Sequence, residues 1–140
     1  MDLVALSGAH TLGFSHCSSF ESRLHNFSPT HDTDPSMNDI FASQLKEICP
    51  KQNKNRNRGQ FLDSTASKFD NDYYKQITQG KGVFGTDQAL YNDFRTKWMV
   101  DLFANNQNLF FAEFAASMIK LGNVDVSETG EVRLNCRRVN

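Results

Sequence analysis

Leu3-Val4-Ala5-Leu6-Ser7-Gly8-Ala9-His10-Thr11-Leu12-Gly13 opens the chain and decides how the rest is read. An apolar run leads to a histidine set between Gly8 and Gly13. Glycine permits close approach of backbone, or of a flat ligand, where a side chain would clash. A histidine in that setting can ligate a metal, move a proton, or pack in a core with its N–H satisfied. On these residues alone the packed core histidine is the better reading, and the remainder of the chain has to shift it.

Length and composition narrow the classes. The 140 residues suit one compact domain large enough to bury a core. A net charge of −1 gives no electrostatic case for nucleic acid or an anionic membrane. No apolar run approaches the roughly 18 residues that a membrane span needs. Met1 is followed at once by Asp2, so no signal peptide is expected here. Three cysteines is an odd number, which leaves one without an internal partner.

Periodicity predicts a mainly helical chain. Asp2 to Ala9 reads as the last turns of a helix that delivers His10. Phe14 to Leu24 has apolar and small residues at roughly helical spacing, with Cys17 inside it. His16 adjoins Cys17, but the stretch lacks the tight ligand pairs of a zinc site, and zinc is set aside. Ser28 to Pro35 is rich in turn formers and predicts an exposed loop, with His25 and His31 in or beside it as solvated residues. Asn26-Phe27-Ser28 is a glycosylation sequon, weakened by Pro29. Phe41, Leu45 and Ile48 mark one face of a helix over 38–48 that Pro50 ends. Lys51 to Arg58 has no apolar residue and four basic ones; with no aromatic interleaved, a solvated loop is the better reading than a nucleic-acid contact. A helix is predicted from Phe69 to Gly80 and a short helical piece over 87–91. Two further helices carry Phe94, Trp98, Met99, Leu102 and Phe103, then Phe110, Phe114, Met118 and Leu121, all read as core; Asn108 is placed as the second one's N-cap and Gly122 at its end. Val132 and Leu134 suggest a short strand.

The motifs carry a resemblance. Leu6 to Gly13 followed by Cys17, then Cys49-Pro50, Phe69-Asp70-Asn71-Asp72-Tyr73-Tyr74, Thr86-Asp87-Gln88-Ala89-Leu90 and Glu131-Val132-Arg133-Leu134-Asn135-Cys136 resemble the secretory plant (class III) haem peroxidases. They match in order, at close to the family spacing, across nearly the whole chain. The resemblance implies an all-α haem-peroxidase fold with short irregular loops and little or no β, residues 1–140 forming its proximal, C-terminal portion. It also implies hydrogen-peroxide-dependent oxidation of phenolic donors in one-electron steps, in peroxide removal, cell-wall phenolic oxidation and the oxidative stress response. The family's distal arginine and histidine, which cleave peroxide, have no counterpart in this chain, so full turnover by these residues alone is not expected. The implied partners are small phenolic substrates, hydrogen peroxide and the missing N-terminal half. The implied location is extracellular, the cell wall or the vacuole.

Carried over residue by residue, His10 is the axial ligand of haem b, in line with proximal-histidine ligation in peroxidases. Asp87 is its partner: a carboxylate on the second ring nitrogen makes an imidazole more basic and orients it. The competing reading of Asp87 is a helix N-cap. Thr11, Asp63, Thr65, the backbone carbonyl of Lys68 and Asp70 match the family's proximal calcium ligands, all hard oxygen donors. Asp63 lies two residues before Thr65, where the commoner family spacing is three, which makes it the least regular of the set. Without the resemblance this loop reads as an ordinary Asx/Ser turn. The resemblance also implies a Cys17–Cys49 disulfide, with Cys136 left as a free thiol because its family partner falls in the other half. A rival from a different class remains: a non-catalytic, calcium-binding or regulatory remnant of the fold that holds no haem.

Overall fold

A computed structural model describes residues 1–52, 57–124 and 130–140. Its helices are α1 (Asp2–Ser7), α2 (Glu21–Leu24), α3 (Asp39–Ile48), α4 (Asp72–Thr78), α5 (Gly85–Asn92), α6 (Phe94–Asn105) and α7 (Gln107–Gly122). The strands β1 (Phe14–His16) and β2 (Gly59–Phe61) pair antiparallel. The chain is therefore helical with a small sheet, as expected. No helix is long and apolar enough to cross a membrane among the described residues.

Side-chain caps set several helix starts. Asn38 Oδ1 accepts from the N–H groups of Ile40 and Phe41, opening α3, which buries Ala42 and Leu45. Asp93 caps α6 through the Arg95 N–H. For α7 the cap is Asn106, whose side chain accepts from the Leu109 N–H, and not Asn108. A cap must stand outside the helical backbone to reach back into the first turn; Asn106 does, with φ −139°, whereas Asn108 is already inside the helix. The helix expected from Phe69 begins at Asp72, because Asp70 Oδ1 accepts the Asp72 N–H and turns the chain there. Phe69 packs instead against Phe110 and Phe114.

The largest departure is at 14–24. Ser15 is buried between exposed Phe14 and His16, the alternation of a strand. A short 3-10 turn over Cys17–Ser19 and then α2 follow, so the apolar spacing that suggested one helix belongs to three elements. The register sets Phe14 opposite Phe61 and His16 opposite Gly59. A side chain at Gly59 would run into the Ser15 carbonyl oxygen and the Phe14 ring, so β1 can close on β2 only there. Gly13 enters β1 with φ +109°, in the region that favours glycine. Val132 and Leu134 form no strand and are exposed. The expected basic loop falls partly outside the described residues; at its start Lys51 is exposed, with Nζ donating to Asn26 Oδ1.

Two apolar clusters hold the chain together. One joins Val4 and Ala5 of α1 to Tyr74, Ile77, Phe103 and Phe110. The other gathers Phe20, Leu24, Leu45, Leu62 and Val83 around Cys17 and Cys49, which form a disulfide. The bridge spans a sequence separation of 32, and closing such a loop stabilises by roughly 3–4 kcal/mol on the chain-entropy model. Cys136 is free and exposed. Not every helical aromatic is core: Phe94 is 86% and Trp98 54% exposed, while Met99 and Phe103, on the other side of α6, are buried. Met118 and Leu121 of α7 are exposed as well.

Candidate functional site

His10 is presented by a tight turn. α1 runs into a 3-10 turn over Gly8–Thr11, and Gly8 lies so close to Phe110 and the Tyr74 hydroxyl that any side chain there would overlap both. That hydroxyl donates to the Val4 carbonyl, which locks the last turn of α1 against the core. The His10 ring then sits between Phe84, 5.3 Å away and packed on the disulfide cluster, and Tyr73, 6.1 Å away in the other cluster.

Its Nδ1 lies 2.9 Å from Asp87 Oδ1, across 77 residues of sequence. Asp87 stands in the first turn of α5 but caps nothing there; its Oδ1 accepts from His10 and from the Tyr73 hydroxyl at 3.1 Å. The Asp87 hydrogen bond raises the His10 pKa above 6.5, outweighing the burial that lowers it. An Nδ1–H held by a carboxylate leaves the Nε2 lone pair free and more basic, the state in which a histidine ligates metal. With 40% of its side chain exposed, His10 forms part of the wall of a cavity of about 650 Å³. Leu3, Ala89 and Leu90 give that cavity an apolar lining, with Asp93 and Arg95 also at its wall. An apolar slot with one imidazole at its wall has the shape and chemistry to accept a flat, hydrophobic metal macrocycle.

Two buried side chains aim α5 at His10. Arg23 donates to Asp34 Oδ2 at 2.8 Å and to the carbonyl oxygens of Gly82 and Val83 at 2.6 and 2.9 Å. Gln88 donates to the Ile77 carbonyl and accepts the Gly82 N–H. Together they pin the segment that carries Phe84 and leads into Asp87. In the sequence Arg23 is one more charge in a stretch of roughly helical spacing and belongs to no motif.

One residue after His10 a second constellation begins. The Thr11 hydroxyl donates to Asp63 Oδ2 at 2.6 Å and lies 3.4 Å from Asp70 Oδ1 and 3.5 Å from the Lys68 carbonyl oxygen. The Thr65 hydroxyl donates to Asp70 Oδ1 at 3.0 Å, and its N–H to Asp63 Oδ1. All five expected oxygen donors are thus drawn together, Asp63 included. Thr11, Asp63 and Asp70 are buried, and burial, ahead of the charges of Asp72 and Asp70, raises the Asp63 pKa above 3.8. Lys68 Nζ lies 3.4 Å from Asp70 Oδ2 and is itself largely in solvent. Among the described residues no three His, Cys or acidic groups gather as a metal site. This cluster has two carboxylates and reaches a hard-cation donor set only through its hydroxyls and carbonyl.

Other histidines stand apart from both groups. His16 is exposed with its ring against Phe14, and Cys17 beside it is committed to the disulfide. His25 Nε2 makes a hydrogen bond with the Cys49 carbonyl, so it is tied to the scaffold rather than simply solvated. His31 is exposed, as expected, and so is Asn26 of the sequon.

Comparison with known proteins gives the family. The chain is 66% identical over 140 residues to Peroxidase 66 of Arabidopsis thaliana, covering 99% of the chain and 44% of that relative. It is 48% identical to Peroxidase 64 and 46% identical to Peroxidase 51 of the same plant, covering 99% of the chain and 43% of each relative. The chain therefore spans less than half the length of the curated relatives it matches. The Peroxidase family model matches residues 1–106, a stretch that holds His10, Asp87 and the whole oxygen cluster, and the chain belongs to the peroxidase family.

Proposed function

We propose that this chain forms the proximal side of a secreted plant haem peroxidase that uses hydrogen peroxide to oxidise phenolic donors one electron at a time. The observation that carries the reading is the His10–Asp87 hydrogen bond of 2.9 Å beside an apolar cavity. When bound, haem b supplies the redox chemistry with peroxide. The chain's own residues do the rest: His10 offers Nε2 to the iron, Asp87 holds the Nδ1 proton and enriches the ring in electron density, and Phe84 and Tyr73 fix the ring plane. Calcium held by Thr11, Asp63, Thr65, the Lys68 carbonyl and Asp70 would stiffen the turn that presents His10. Acid–base assistance to peroxide cleavage, worth about 10²–10⁴-fold per positioned group, is assigned to the part of the relatives' length that this chain does not match. Peroxide turnover is therefore a property of the two parts together.

Titration of the chain with ferric haem, followed by absorbance and a guaiacol assay, tests this. A saturable Soret change lost in His10→Ala is expected, with weak guaiacol oxidation at most. Asp87→Asn should keep binding but raise the reduction potential, because the imidazole loses its anionic partner. Haem binding unaffected by His10→Ala would overturn the ligand assignment. Calcium binding without any haem binding would favour the non-catalytic remnant.

A further inference from the structure

Asp87 Oδ1 serves two donors at once, His10 Nδ1 at 2.9 Å and the Tyr73 hydroxyl at 3.1 Å. Tyr73 is 1% exposed, and this is the one hydrogen bond its hydroxyl makes among the described residues. Its ring is fixed edge-on against Tyr74 at 5.0 Å. We propose that Tyr73 is a positioning residue that sets how strongly Asp87 pulls on His10: by donating to the same oxygen, it draws off part of the carboxylate charge and moderates the anionic character of the imidazole. The inference rests on the assignment of His10 as the haem ligand for its consequence at the iron, but the sharing of Oδ1 is a property of the chain itself.

The physical chain is short. A carboxylate oxygen that already accepts one hydrogen bond is a weaker acceptor for the next, since both donors compete for the same electron density. Burial first, and then the Asp87 charge, holds the Tyr73 pKa well above 10, so the phenol remains a donor at every working pH. The aspartate's pull is therefore divided permanently between imidazole and phenol. A divided pull leaves the imidazole less electron-rich, a poorer stabiliser of ferric relative to ferrous iron. Tyr73 would thus set the potential through Asp87, from a buried position.

Tyr73→Phe tests it, because phenylalanine keeps the ring and its packing and removes the O–H alone. In the haem-free chain, at a fixed pH above the His10 titration, the ¹⁵N resonance of His10 Nδ1 should move downfield as its bond to Asp87 strengthens. In the ferric-haem-loaded chain the reduction potential should fall. The ratio of ferric to ferrous affinity should rise about three- to tenfold, from a lost hydrogen bond to a charged group felt only in part at the iron, where tenfold is about 59 mV for one electron. The iron–histidine stretching frequency of the ferrous form should rise with it. In an Asp87→Asn background the same substitution should change neither quantity, because the shared acceptor charge is gone. A potential that rises, or a Nδ1 resonance that stays put, would mean that Tyr73 only props Asp87 in place, and would overturn the proposal. If haem binding proves independent of His10, the peroxidase reading fails while the resonance still judges the sharing of Oδ1.

Discussion

Asp63→Asn separates a calcium site from a hydrogen-bonded turn, because the two predict different responses. In the metal-free chain Asp63 accepts from Thr11 and from the Thr65 N–H. Asparagine keeps the Thr65 bond through its carbonyl oxygen and can donate its amide to the Thr11 hydroxyl, so one bond is reversed and none need be lost. Metal-free stability should then change by less than about 1 kcal/mol, with the relief of a buried charge acting in the favourable direction. Calcium behaves otherwise. At a free concentration one hundred times the dissociation constant, an ion that binds only the folded chain adds about 2.7 kcal/mol. For a chain of this size that corresponds to a rise of about 8–13 °C in Tm, at about 3–5 °C per kcal/mol. Asp63→Asn should remove most of that rise. The pH dependence follows from the raised Asp63 pKa. With a folded-state pKa above the unfolded value, its contribution is fully present below about 3.8 and is lost as pH climbs through the folded value. The metal-free wild type should therefore lose stability on that climb, the variant should not, and calcium should reverse the slope because it binds the ionised carboxylate. Thermal melts by circular dichroism with calcium or a chelator read all of this. An undiminished calcium response in Asp63→Asn would remove Asp63 from the ligand set, and no response in the wild type would reduce the cluster to a turn.

Two further outcomes are expected. Peptide mapping without reductant should recover Cys17 joined to Cys49 and Cys136 open to alkylation, and Cys49→Ser should lower unfolding stability by roughly 3–4 kcal/mol; a peptide joining Cys49 to Cys136 would refute the pairing. Arg23→Met strands the Asp34 carboxylate and the carbonyls of Gly82 and Val83, and breaking a buried pair from one side costs about 3–5 kcal/mol, so a loss below 1 kcal/mol in a denaturant melt would show that Arg23 is not what pins the approach to α5.

What the sequence makes legible is what short-range pattern encodes. Leu45 is buried on α3, and Phe41 and Ile48 pack partly buried against the same cluster, because a helix repeats its neighbours every three to four residues. The sheet is not legible in that way. Three-residue strands carry almost no period, and β1 finds β2 across 45 residues through a glycine whose need appears only when Ser15 lies beside it. Phe94 and Trp98 show the opposite failure: core-like spacing describes a face, but not whether anything covers it. At the site, His10, Asp87 and the oxygen donors could be named from motifs. Tyr73 and Arg23 could not, since a tyrosine aimed at a carboxylate and an arginine reaching two distant carbonyls are defined by direction, and direction arises only in the folded chain.

The turn over Gly8–Thr11 places His10 and Thr11 on adjacent residues, one facing Asp87 and the other facing Asp63. If each side takes its ligand, a single peptide unit transmits the state of one to the other, and thermodynamic reciprocity makes the exchange symmetrical. Whatever factor calcium adds to haem affinity, haem must add to calcium affinity. Retained calcium would then serve as a gauge of haem occupancy, and chelation would weaken the chain's hold on haem by that same factor.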